Sequence, residues 1–214
     1  MEYEVRFYYP SESIESLINM LSGFNDLNKG LRTYEKTIQF NHCDPNYDFY
    51  SKEIDGRFRF RISSNEELSK CKLSWKRRLP STCETDVNKE EEKEVNIPYE
   101  DLDNFLFIVN NVMHFSVKES YERYRTVFTN DDVEISVDEY PFGVALEIEN
   151  KSETKNPEDV VREWVSKIGL DINDSYRLSW DDKYEELCRE QNKNIERSVT
   201  FDKDMLRERL ESAD

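Results

Sequence analysis

The chain has 214 residues, of which 36% are charged and 36% hydrophobic, and its formal net charge is −17. Aromatic residues at 13% exclude a disordered chain. The acidic balance excludes general binding to nucleic acid or an anionic membrane, but not a local basic site.

EYEVRF (2–7) sets Glu2, Glu4 and Arg6 against Tyr3, Val5 and Phe7, the period of a strand whose charged side faces either water or an interior. SESIESLINMLSG (11–23) reads as a short helix, capped by Ser11 or Ser13 and stopped by Gly23. RTYEKTIQFNH (32–42) and YDFYSKEI (47–54) read as strands across the turn-like CDPN, and Asp55-Gly56 joins the second to RFRFRIS (57–63). CKLSWKRRL (71–79) is a further strand; the acidic stretch 84–94 is a loop entering the strand KEEEKEVNI (89–97). YEDLDNFLFIVNNVMHF (99–115) is predicted helical, with Leu102, Phe105, Leu106, Val109, Val112 and Met113 along one face. SYERYRTVF (120–128), DVEISVDEY (132–140) and GVALEIEN (143–150) are strands joined at Asn130-Asp131 and Pro141-Phe142-Gly143. Asn156-Pro157 opens a helix that Gly169 ends, and the tail 181–213 holds one or two charged helices, DDKYEELCREQ and DKDMLRERLE.

About nine strands on short turns, with no interdomain linker, predict one α+β, mainly β domain over 1–214. Its expected form is a closed antiparallel barrel of eight to nine strands over 2–150. The helices, including those at 156–213, pack outside, and the interior is polar. No apolar run approaches the ~20 residues of a membrane span, no signal peptide is visible, and no solenoid-length repeat stands out. Cys43, Cys71, Cys83 and Cys188 have no CxxC spacing and read as reduced thiols of a cytoplasmic protein.

The first strand's alternation recurs. Arg57, Arg59 and Arg61 oppose Phe58, Phe60 and Ile62; Lys72, Ser74, Lys76 and Arg78 oppose Leu73, Trp75 and Arg77. Glu92 and Glu94 oppose Lys93 and Val95, and Arg123 and Arg125 flank Tyr124. Glu134, Ser136 and Asp138 oppose Ile135 and Val137; Glu147 and Glu149 oppose Leu146 and Ile148. Any one such strand is a solvated face over an apolar core. Taken together, the signs segregate by strand, and like charges opposed across a sheet need something between them. Amphipathic helices can cover the apolar faces from outside, which turns the charges inward. Buried charges are paired or coordinate a metal. Residues i and i+2 lie about 6.5–7 Å apart on a strand, so Glu2, Glu4, Glu147 and Glu149 can converge on one hard divalent ion, Mg²⁺ or Mn²⁺. Carboxylates holding a metal, facing guanidinium groups, make a site for a polyphosphate.

ExExR at the start, RFRFR, KLSWK, RYR, the late Asp of SVDEY and the second ExE of ALEIEN occur in one order. That order, over roughly residues 2–150, resembles the triphosphate tunnel metalloenzymes, which include the CYTH proteins and the metal-dependent RNA 5'-triphosphatases. Within them it is most similar to the triphosphatase domain of large-virus, mimivirus-type mRNA-capping enzymes. The resemblance implies that Glu2, Glu4, Glu147 and Glu149 hold Mn²⁺ or Mg²⁺. It implies that Arg59, Arg61, Lys76, Arg78, Arg123 and Arg125 bind a triphosphate, with Arg57, Arg59 and Arg61, and Lys72, Lys76 and Arg78, competing for one or two roles each. It gives Glu92 or Glu94 the orienting of the attacking water, and Asp138 the positioning of a basic neighbour. The implied activity is a polynucleotide 5'-triphosphatase, the first step of mRNA capping, with nucleoside triphosphates as further substrates. The alternatives are a small-molecule triphosphatase acting on inorganic or thiamine triphosphate, and a non-catalytic polyphosphate-binding barrel. The implied partners are triphosphate-ended RNA and a fused or associated guanylyltransferase, with no membrane and no sequence-specific nucleic acid; for a viral protein the place is host cytoplasm or virion.

Three other signals carry less. KEIDG (52–56) has one residue too many for a KxDG nucleophile motif and reads as a turn. His42, Cys43 and Asp44 lack a second nearby histidine, and Trp164 and Trp180 read as packing anchors.

Overall fold

The period-two alternation is realised as strands. The computed structural model describes residues 2–67, 69–79 and 87–202. Its strands are β1 (Glu2–Tyr9), β2 (Asn28–Lys29), β3 (Thr33–Asn41), β4 (Gly56–Ser64), β5 (Ser69–Arg78), β6 (Asn88–Ile97), β7 (Ser116–Thr129), β8 (Val133–Tyr140), β9 (Gly143–Asn150) and β10 (Ser198–Val199). Eight of them form a closed antiparallel barrel in the order β7-β3-β4-β5-β6-β1-β9-β8, with β8 returning to β7. The short β2 and β10 add to β7, the latter in parallel. The class is α+β, mainly β, and the helices lie outside.

Register decides which charges meet. Glu2 lies opposite Glu90, and Glu149 lies between Glu4 on one side and Glu134 on the other. Arg57 faces Lys76 and Arg61 faces Lys72. Pairs of like charge across a ladder destabilise it unless something of opposite sign intervenes. Opposite signs meet at Arg6 and Glu147, at Glu35 and Arg123, and at Arg125 and Asp138.

The apolar faces are covered from outside. α1 (Ile14–Ser22) and α3 (Pro157–Lys167) bury Leu17, Leu21, Val161 and Trp164 against Val5, Ile135, Leu146 and Ile148. α2 (Leu102–Phe107) stacks Phe105 on Phe60 of β4, centroids 5.3 Å apart. α4 (Trp180–Glu190) packs Trp180, Tyr184 and Leu187 on Tyr121, Tyr140 and Phe142 at one end of the barrel. Asn156 accepts from the Glu158 and Asp159 amides to start α3, and Gly169 follows its end at φ +81, a conformation glycine adopts without strain. Gly56 is required for space: a Cβ there would sit 2.3 Å from the Trp75 ring. Among the described residues no helix is long and apolar enough to cross a membrane.

Several expectations are corrected. Residues 47–54 form no strand: the Asp48 carboxylate accepts from Asn41 Nδ2 and the Tyr50 amide, and backbone bonds such as Ser51 N to Asp48 O wind the segment into turns. Phe49 is thereby delivered into a cluster with Phe58, Trp75 and Phe115. The helix at 99–115 is α-helical only over Leu102–Phe107; a π-helical turn over Ile108–Val112 changes the phase. Val109 stays buried, but Val112 and Met113 face solvent. Neither Ser11 nor Ser13 caps the helix: Ser11 Oγ is buried without a hydrogen-bond partner, and Ser13 makes no side-chain cap bond. The strand β10 was not foreseen. The second tail helix expected at 202–211 lies, beyond its first residue, outside the described residues, as does Cys83.

Candidate active site

The barrel encloses a cavity of about 230 Å³ whose wall carries eleven Lys and Arg against eight Glu. A surplus of positive charge inside a chain of net charge −17 marks this wall as a place for an anion. Ser179 and Trp180 line it where α4 packs, and Trp180 meets Tyr121 with centroids 4.2 Å apart, so this end is capped. Arg57 donates to Ser179 Oγ at 2.8 Å, and Arg6 Nη1 to the Leu178 carbonyl at 2.9 Å, which ties the cap to the wall. Other lining side chains are half open to solvent: Lys72 is 34% exposed, and Glu94 and Lys151 39% each.

One part of the wall is acidic. Glu2 and Glu4 of β1 and Glu90 of β6 bring carboxylate oxygens within 4.8 Å of one another. Lys76 of β5 puts its Nζ among them, 2.7 Å from Glu90, 2.8 Å from Glu2 and 3.3 Å from Glu4. Burial pushes the Glu2 carboxyl up to about 7 even though Lys76 opposes it, and the neighbouring Glu92 adds to the rise. Burial acts the same way on Glu4, but Lys76 and Arg6 overcome it and hold Glu4 below the ordinary carboxylate range. Glu90 Oε2 is buried and receives no hydrogen bond; Lys76 meets it only as an ion pair. An all-oxygen donor set with one oxygen left without a hydrogen-bond donor fits a hard divalent cation.

The expected metal quartet is divided. Glu2 and Glu4 converge with Glu90. Glu147 is held by Arg6 Nε and Arg125 Nη2, each at 2.6 Å. Burial opposes its charge, but Arg6 and Arg125 hold it well below the ordinary range. Glu149, opposite Glu4 in the ladder, is bonded by Lys151 at 2.7 Å.

The cationic residues differ in how much of each is free. Arg59 donates to Ser74 and, at 2.9 Å, to Glu92. Arg123 is enclosed: it donates to Glu35 at 2.8 Å, to Asp138 at 2.8 Å and to Tyr140 Oη at 3.2 Å, and is 3% exposed. Asp138, fully buried, also accepts from Arg125 and so holds both guanidinium groups. Arg61 Nε makes one long bond to Thr37 at 3.3 Å and an ion pair with Glu35 at 3.7 Å, and among the described residues its two terminal nitrogens have no hydrogen-bond partner. Arg125 Nη1 is likewise unbonded among them. Arg78 sits 3.7 Å from Asp55 and 4.0 Å from Glu90. Glu92 is in the interior, held far below the ordinary range by Arg59 and Lys76 against the effect of burial, whereas Glu94 pairs with the half-exposed Lys72.

Residues that sequence reasoning missed are Glu90, Glu35 and the cap, Ser179 and Trp180. Glu90 shares its face with Glu92 and Glu94, so strand alternation was a sufficient signal. Glu35 shares a face with Thr37 and Gln39, where mixed polarity hid it. Trp180 had no local signal, because its place depends on a helix packing across the barrel end. Trp164 does pack in the outer core. The His42 ring lies against Tyr47, Phe49 and Phe115, and its Nδ1 accepts from the Asp44 amide.

Solved structures share this architecture. PH1819 from Pyrococcus horikoshii OT3 superposes with a TM-score of 0.64 at 23% identity, over 89% of this chain and 99% of that one. What the two share is the fold, an antiparallel barrel with helices outside. HpAC1 from Hippeastrum, a candidate adenylyl cyclase with a dominant triphosphatase activity, superposes with a TM-score of 0.57 at 21% identity, covering 91% and 98% of the two chains. A candidate adenylate cyclase from Vibrio parahaemolyticus matches with a TM-score of 0.61 at 14% identity, over 84% and 96%. At these identities the likeness is one of fold. No protein-family model and no curated protein matches the sequence.

Proposed function

We propose that this protein is a divalent-metal-dependent triphosphatase that removes the γ-phosphate from the 5'-triphosphate end of RNA, the first step of mRNA capping, with nucleoside triphosphates as further substrates. The observation that carries the reading is the wall of the cavity, which joins three convergent carboxylates to a surplus of Lys and Arg. A cation and a polyanion together satisfy both halves. The dominant triphosphatase activity described for HpAC1 supports the same chemistry.

Glu2, Glu4 and Glu90 would hold Mn²⁺ or Mg²⁺, which supplies Lewis-acid polarisation of a phosphoryl oxygen. The chain's own residues do the rest. Arg61 and Arg125, each with unbonded guanidinium nitrogens, bind the phosphate chain and stabilise charge on its equatorial oxygens. Asp138 fixes the pair Arg123 and Arg125 in place. Glu92, kept ionised by Arg59 and Lys76, accepts a hydrogen bond from the attacking water and aligns it. No covalent nucleophile enters. The cavity volume lies below the ~300–1,000 Å³ of pockets that enclose drug-sized ligands, so a phosphate chain enters and the nucleoside stays outside. That supports an RNA end as substrate. It supports inorganic triphosphate equally, which is the second reading. The diphosphate end left on RNA would pass to a guanylyltransferase, fused or associated.

The test is phosphate release from γ-labelled triphosphate-ended RNA, ATP and inorganic triphosphate, each with and without Mn²⁺. Metal-dependent release that is fastest from RNA, and about 10²-fold or more slower for Glu4→Gln, is expected. Faster release from inorganic triphosphate than from RNA moves the assignment to the second reading. No release from any of the three ends the proposal.

A further inference from the structure

The cation at the centre of the carboxylate site is Lys76. Its ammonium has three protons to give, and four carboxylates surround it: Glu90, Glu2 and Glu4 within 3.3 Å, and Glu92 at 3.8 Å. Three protons cannot serve four carboxylates: Glu2 and Glu4 receive hydrogen bonds, whereas Glu90 Oε2, 2.7 Å away, meets the ammonium as an ion pair only. A divalent ion has no such restriction of direction and draws oxygens to about 2.0–2.6 Å. Oxygens gathered that closely on an ion leave no room for Nζ at its present place. Lys76 sits on a four-carbon stem, so its charge can move several ångströms while its backbone stays in the ladder. Arg57, its cross-strand neighbour, and Arg59 beside it are cationic and already hold Asp55 and Glu92, so a freed ammonium on that side adds to a cationic wall.

We propose that Lys76 is a tethered counter-cation of the Glu2, Glu4 and Glu90 site, which a divalent ion displaces, and that the freed ammonium then serves as a phosphate ligand in the cavity. The first half stands on geometry alone; the second rests on the triphosphatase reading. The consequence is a coupling: loading the metal raises the cationic charge offered to the substrate. Lys76 thus neutralises the acidic wall in one state and binds anion in the other.

The experiment titrates Mn²⁺ into the full chain without substrate and reads free Mn²⁺ by electron paramagnetic resonance. Lys76→Met is expected to bind Mn²⁺ about tenfold or more tightly than the natural chain, because a repelling charge a few ångströms from the ion is gone. Lys76→Arg, which keeps the charge, is expected to bind no more tightly than the natural chain, and Glu90→Gln to bind about tenfold more weakly. Equal or weaker binding by Lys76→Met overturns the proposal. A second measurement needs no variant. The Lys76 ammonium resonance of the natural chain, followed by lysine ¹⁵N NMR, should shift with Mg²⁺ along the binding isotherm. A resonance unchanged at saturating Mg²⁺ overturns it too. If Lys76→Met tightens Mn²⁺ binding while no substrate is hydrolysed, the triphosphatase reading fails and the displacement stands. Hydrolysis with unaltered Mn²⁺ binding gives the reverse result.

Discussion

Arg123 and Arg61 stand two strands apart in one cavity and have different tasks. Arg123 is boxed in by Glu35, Asp138 and Tyr140, with almost no exposed surface. Removing one partner of such a buried network leaves uncompensated charge at a cost of about 3–5 kcal/mol. Arg61 has spare donors, one long bond to Thr37 and a loose ion pair with Glu35 at 3.7 Å. Urea denaturation should therefore show Arg123→Met losing about 3–5 kcal/mol and Arg61→Met about 1 kcal/mol or less. The kinetic ranking should reverse, with Arg61→Met lowering kcat/KM for the triphosphate substrate about 10²-fold while remaining folded. Equal loss of stability in both variants would refute the division. Sequence made both arginines visible, since each alternates with apolar neighbours on its strand. It could not separate the enclosed arginine from the one with unbonded nitrogens, because that depends on Asp138 and Tyr140, which reach Arg123 from another strand through register.

The barrel strands were legible because each alternates two chemistries over several residues. The segment 47–54 was not, because it has strand-forming Tyr and Phe but its backbone is claimed by Asp48 and Asn41 side chains. The helix at 99–115 was half legible: its apolar period holds until a π-helical turn shifts the phase, and side-chain spacing carries no sign of such a turn. α4 was foreseen as a charged helix, whereas its role as a cap was not. That cap has a titration of its own. Glu119 of β7 accepts from Gln39 at 2.8 Å and is pushed up to about 7, by burial first and then by Asp181 of α4, with Lys118 and Arg57 opposing. Its ordinary value is 4.5. A carboxyl raised on folding contributes stability that is present below about 4.5 and lost as pH rises through about 7. Glu119→Gln, which cannot ionise, should be more stable than the natural chain by about 1–2 kcal/mol at pH 8 and equal to it near pH 4. Thermal melts at the two pH values check this, and a pH-independent difference would refute it.

At the scale of the molecule, closure gives the fold its chemistry. Apolar faces turned outward to α1, α2 and α3 direct the charged faces into the cavity, where the buried ions must satisfy one another or a guest. Expecting a closed, charge-lined barrel required weighing many strands at once; any single strand favours a solvated face. β1, meanwhile, is held by partners far away in the chain: Lys76 to Glu2 spans 74 residues and Arg6 to Glu147 spans 141. Joining such distant segments is slow, on the order of milliseconds to seconds for β-rich topologies. The strand β1 is thus among the last to be keyed in. Capacity to take up Mn²⁺ should emerge during refolding with the slowest phase, as read by rapid mixing; uptake in the earliest phase would contradict this order. The strand Gly143–Asn150 pairs with β1 on one edge and β8 on the other, so the cavity has a complete wall only after this one segment has seated between them.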